Sequence, residues 1–128
     1  MGEEMGTGRE KTILLIEYNP QLNQMIEETV QNNFESKVKI ISFYYSTLAV
    51  DYSRENEDKV CLIIRCRLLH AGNGFRLLHE CKTLKPDLLV ILHTALVWKD
   101  KFSPFDECID KQTGFLPLIT AISELLKI

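Results

Sequence analysis

A chain of 128 residues falls in the size range of one domain and can bury a core without a metal or disulfide staple. Its 45% apolar and 26% charged content fits a folded globule, not a disordered chain. A net charge of −3 offers no basic field to attract a nucleic acid or an anionic membrane.

Residues 1–10 are polar and glycine-containing, which predicts a flexible tail ahead of a single domain at 11–128. They lack the apolar run of a signal peptide, and Gly6 replaces the Ser or Thr of a myristoylation signal. Thr12–Ile16 is a continuous apolar run, as in a strand covered on both faces. Asn19 and Pro20 then supply a helix N-cap and a first helical position. Leu22, Met25, Ile26, Val30 and Phe34 recur at helical spacing and predict the inward stripe of that helix. Lys37–Ile40 alternates polar and apolar residues, the pattern of an edge strand.

A weaker helix is predicted from Ser46 to about Arg54, then a charged loop over Glu55–Lys59. Cys61–Ile64 is a second fully apolar strand. Asn73-Gly74 predicts a turn, and Phe75–Leu84 a helix with Leu77, Leu78 and Cys81 inward. Leu88–Leu92 is a third apolar strand, and Asp106–Asp110 a short edge strand. A last helix opens at Thr113 or Gly114 and turns Leu118, Ile119, Ile122, Leu125 and Leu126 inward. No stretch approaches the ~20 apolar residues of a membrane span. Alternating strands and helices with short connections predict an α/β fold. Three buried strands between two less apolar ones fit a five-stranded, doubly wound parallel sheet of order 2-1-3-4-5.

In such a sheet a site forms beyond the carboxyl ends of the strands. Those ends carry Glu17-Tyr18, Cys66 and Thr94, with Lys111 after the last strand. Four features follow one another at the right spacing: the strand into Cys66, Asn73-Gly74-Phe75, Ile91–Ala95 with Thr94, and Ile109-Asp110-Lys111. From about Lys11 to Lys127 the chain resembles the response-regulator receiver domain.

The resemblance implies a flavodoxin-like receiver fold in two-component phosphorelay signalling. It implies that Thr94 matches the hydroxyl that contacts a phosphoryl group and Lys111 the family's lysine. The departures fall on the chemistry. The family's phospho-acceptor Asp ends the third strand, and counting back from Gly74 lands on Cys66. No Asp or Glu occurs anywhere from Val60 to His79. The family's second acid after the first strand is Tyr18 here, so no Mg²⁺ site and no other cofactor is expected. Cys108 and Gln112 stand where the family has its reporter aromatic and the proline after the lysine. Residues 95–110 contain Pro104 and leave room only for a shortened or missing fourth helix.

The expectation is therefore a pseudo-receiver: no enzyme, cytoplasmic, acting through a protein partner such as a histidine kinase or through a homodimer. Its degenerate pocket is Glu17, Tyr18, Cys66, Thr94 and Lys111, with Glu17 paired to Lys111 across it. Trp98, Phe102 and Phe105 are the expected interface. The alternative is a small-ligand or thiol redox sensor built on Cys66, with Arg65 and Arg67 beside it; a thiol-dependent enzyme with His93 or His70 as the base of Cys66 ranks last. Cysteines 61, 66, 81 and 108 follow no Cys-x-x-Cys spacing, which suits reduced thiols and no zinc site. Arg65 is the one charged residue in the apolar third strand and requires a partner there.

Overall fold

The structure is a computed structural model that describes residues 10–66, 71–94 and 105–128, without the side chains at 71–75 and 77. Five strands form one parallel sheet: β1 (Lys11–Ile16), β2 (Val38–Phe43), β3 (Val60–Arg65), β4 (Leu89–Thr94) and β5 (Glu107–Asp110). Their spatial order is β2-β1-β3-β4-β5, the doubly wound order read from the sequence. Four α-helices occur among the described residues: α1 (Pro20–Phe34), α2 (Ser46–Glu55), α3 (Ala71–Leu84) and α4 (Leu116–Leu126). The expected tail (save Glu10) and the segment of the expected short helix, 95–104, lie outside the described residues.

Strand alternation sends side chains to two core layers. Ile13, Leu15, Leu62, Ile64 and Ile91 pack with Ile26 and Val30 of α1 and Leu118 and Ile122 of α4. Leu14, Ile16, Ile63 and Val90 pack with Ala49 and Val50 of α2 and Leu78 of α3. Each such fully buried side chain contributes about 1.5–3 kcal/mol of transfer free energy, an upper bound for a compact unfolded state.

Local signals place the helices. Asn19 Oδ1 accepts from Leu22 N at 3.0 Å, with Pro20 at the first helical position. The inward stripe of α1 is Asn23, Ile26, Val30 and Phe34, so the reading of Met25 as inward is corrected: Met25 is exposed. A buried Asn is stable here because its amide has two carbonyl acceptors near the strand ends. Helix α3 begins at Ala71, so Asn73-Gly74 lies within it and the expected turn is not formed there. Helix α4 begins later than expected, at Leu116. Asp110 accepts from Gln112 N at 2.8 Å and caps a 3-10 turn over Lys111–Thr113 instead. Gly114 follows with φ 85°, a backbone region that favours glycine.

The amino ends of the strands are fastened by lysines. Lys85 Nζ donates to Val60 O at 2.7 Å. Lys82 Nζ donates to Leu88 O and to Asp106 Oδ2, each at 2.7 Å. Asp106 also accepts from Val90 N at 2.8 Å, which sets β5 against β4.

Candidate functional site at the strand ends

The carboxyl ends of β1, β3, β4 and β5 converge where the chain order reverses from β1 to β3. Backbone bonds hold the rim: Glu17 N donates to Phe43 O and Cys66 N to Ile16 O, both at 3.0 Å. Asn23 Nδ2 ties the first two strands by donating to Glu17 O at 2.8 Å and Phe43 O at 3.2 Å.

Glu17 is 3% exposed, and both its carboxylate oxygens are occupied. Oε1 accepts from Lys111 Nζ at 2.7 Å, and Oε2 accepts from Asn19 N at 2.9 Å. The pair expected across the site is present. Charge pairing together with a backbone donor is what a buried carboxylate needs.

Cys66 directly follows β3 and is 2% exposed. Burial pushes its thiol well above the ordinary range, and the Glu17 charge adds to the effect. Lys111 and Arg65 oppose the shift without reversing it. Its Sγ lies 3.8 Å from His93 Nδ1. His93 is fully buried and is pushed down to about 4, first by burial and then by the Lys111 charge. At neutral pH the couple is therefore a protonated thiol beside a neutral imidazole. A nucleophilic or redox-active cysteine requires a thiolate. Among the described residues His93 Nε2 has no hydrogen-bond partner.

Of the residues predicted for this site, Glu17, Cys66, Thr94 and Lys111 stand at the strand ends. Thr94 is buried at the last position of β4. Tyr18 is 53% exposed, so it stands on the rim and outside the buried cluster. Arg65 is buried, and its Nη1 donates to Ser46 Oγ at the start of α2. Phe105 is half-buried against the α2/α3 core layer, whereas Trp98, Phe102, Arg67 and His70 lie outside the described residues. Sequence reasoning missed Asn23, although a polar residue on the α1 stripe was a signal for it.

The donors present do not fit Mg²⁺. That ion takes hard oxygens in octahedral geometry, and the buried Glu17 carboxylate already holds a lysine and an amide. Among the described residues no group of three His, Cys, Asp or Glu side chains could hold a metal ion.

No family model matches the sequence, and no curated protein matches it. Solved structures do match in fold. The response regulator TrrA from Thermotoga maritima, in complex with Mg²⁺ and beryllofluoride, superimposes with a TM-score of 0.76 at 21% identity. That match covers 90% of this chain and 98% of the other. The complex of histidine kinase ThkA with TrrA matches with a TM-score of 0.74 at 22% identity, covering 91% and 98%. The non-phosphorylated HemR receiver domain from Leptospira biflexa matches at 0.73 and 19% identity, covering 93% and 96%. The chain thus has the receiver fold. No helix among its described residues is long and apolar enough to cross a membrane.

Proposed function

We propose that this chain is a receiver-like module of two-component signalling that takes no phosphoryl group and acts by protein contact. Support for the signalling context comes from neighbours of the same fold, one of them a regulator in complex with its kinase. The observation that carries the rest is the commitment of Lys111 to Glu17 beside a buried, protonated Cys66 at the end of β3. Phosphoryl transfer depends on positioning and on metal neutralisation of charge. Here the lysine is already neutralised by a carboxylate, the carboxylate is spent, and the strand end offers sulfur in place of an acceptor oxygen. The module would be cytoplasmic and non-enzymatic. Its partner would be a histidine kinase or another signalling protein, or a second copy of the chain. Trp98, Phe102 and Phe105 are a proposed contact.

The sensor reading rests on the Cys66–His93 contact. Both groups are neutral and buried, which favours a packing role over a redox one.

The test is intact-mass spectrometry after incubation with acetyl phosphate and Mg²⁺. The expected spectrum is unchanged. A gain of one phosphate mapped to the strand-end pocket would overturn the proposal.

A further inference from the structure

Beside the closed cluster lies an open groove of about 480 Å³ between the start of α1 and the end of β2. Its floor is Asn23, whose amide is consumed by two backbone carbonyls. Its walls include Gln21 and Gln24 on one side and Ser42 and Tyr44 on the other. Glu27, half-buried on α1, is the one charged residue among its lining residues. Ser42 Oγ donates to Glu27 Oε1 at 2.5 Å and holds the carboxylate in place. Oε2 makes no hydrogen bond or ion pair among the described residues, and no lysine, arginine or histidine lines the groove.

Tyrosines continue this surface. Tyr44 and Tyr45 follow β2 and are 49% and 63% exposed, and Tyr18 follows the neighbouring strand β1. The Ile16–Phe43 register brings those two strand ends level. A half-buried carboxylate with no cation beside exposed phenol faces is complementary to one kind of group. A cation can pair with the carboxylate and lie against the ring's negative face. Arginine meets both demands better than lysine, because its guanidinium is planar, stacks on rings and is weakly hydrated. The amides of Gln21 and Gln24 add neutral acceptors for its remaining donors.

We propose that this groove binds an arginine-bearing segment of a partner protein, with Glu27 as the counter-charge and Tyr44 as the stacking face. The inference deepens the proposed contact function by naming the chemistry of the partner.

The probe is an acetylated, amidated peptide, Leu-Arg-Ala-Leu-Arg, titrated into the full ¹⁵N-labelled chain. Its Lys and Glu counterparts serve as comparisons. Amide shifts are expected at Gln21, Gln24, Ser42 and Tyr44, with weaker binding of the Lys peptide and none of the Glu peptide. Glu27→Gln keeps an acceptor for Ser42 and should retain the fold, as spectral dispersion will report. It is expected to weaken binding by about five-fold, the upper range for a partly solvated pair. Tyr44→Ala should weaken it by about three- to five-fold, while Tyr44→Phe keeps the ring and the affinity. Equal binding of the Glu peptide, shifts on another face, or full affinity in both Glu27→Gln and Tyr44→Ala would overturn the inference. A phosphoryl adduct in the mass assay would instead overturn the proposed function and leave this binding result standing.

Discussion

Glu17 and Glu27, both near the carboxyl edge of the sheet, are carboxylates in opposite situations. Glu17, at the end of β1, is buried and has both oxygens engaged, by a lysine and a backbone amide. Glu27, on α1 above the end of β2, has one oxygen held by a serine and faces an open groove. The first site is closed on itself: its charge is balanced from within, and its thiol and imidazole are both neutral. The second has a charge without a counter-charge among the described residues, and aromatic surface on its rim. Function by contact is more readily built on the second, because a ligand at the first would have to displace partners already in place. Substitutions can break this contrast at either site.

The largest effect should come from Lys111→Met. It leaves the Glu17 carboxylate buried without its cation, a change that costs about 3 kcal/mol or more for buried pairs. Glu17→Gln combined with Lys111→Met removes both charges and should recover a large part of the loss, measured by urea unfolding. A Lys111→Met penalty below about 1 kcal/mol would mean that the pair is solvated and the site is not closed.

Acid should open the same site. A histidine with a pKa near 4 in the folded chain binds its proton more readily when unfolded, where 6.5 is usual. Its contribution to stability is complete above pH 6.5 and is lost as the pH falls toward 4. By about pH 5 the loss is roughly 2 kcal/mol. Glu17, Lys111 and Asp110 face His93 electrostatically, so the comparison is with His93→Leu. The slope of urea stability between about pH 6.5 and 5 should be flatter in that variant by this amount. Equal slopes would show that His93 is solvated in the folded chain.

The difference between the two sites also explains what could be read from sequence. The closed site was legible because its members sit at fixed places: Glu17, Cys66 and Thr94 at strand ends and Lys111 one residue past β5. Three apolar runs made those strands unambiguous, and the Glu17–Lys111 pair followed from topology. The charge state of Cys66 and His93 was not legible, since it depends on burial that only the packed layers create. Helix phase was less secure. Met25 and Asn23 compete for the inward stripe of α1, and hydropathy favours Met25. Asn23 takes the position because two strand-end carbonyls await its amide. The groove left no periodic signal at all, because it arises where Tyr44-Tyr45 leaves the sheet beside the first turns of α1.

A smaller effect separates a packing cysteine from a reactive one. Cys66→Ala removes one buried sulfur and should cost about 1 kcal/mol, in line with deleting a group of methyl size. In the unmodified chain, iodoacetamide at about pH 8 should label the half-buried Cys61 and Cys108 before Cys66, as peptide mapping will read. Labelling of Cys66 first would place a thiolate at the end of β3 and restore the redox reading.

The smallest effect expected is the one that fixes the boundary between the two sites. Tyr18 is adjacent in sequence to Glu17, the most buried carboxylate among the described residues, yet more than half of its surface is exposed. If it belongs to the rim, its ring contributes to the surface and little to the closed cluster. Tyr18→Ser should then change urea stability by no more than about 0.5 kcal/mol, as surface substitutions do. It should also leave the His93-dependent acid slope unchanged, because neither the Glu17–Lys111 pair nor the Cys66–His93 contact includes it. A loss of 2 kcal/mol or more, outside that surface range, or a steeper slope, would join Tyr18 to the buried site. The boundary between closed and open carboxylates would then move out to the edge strand β2.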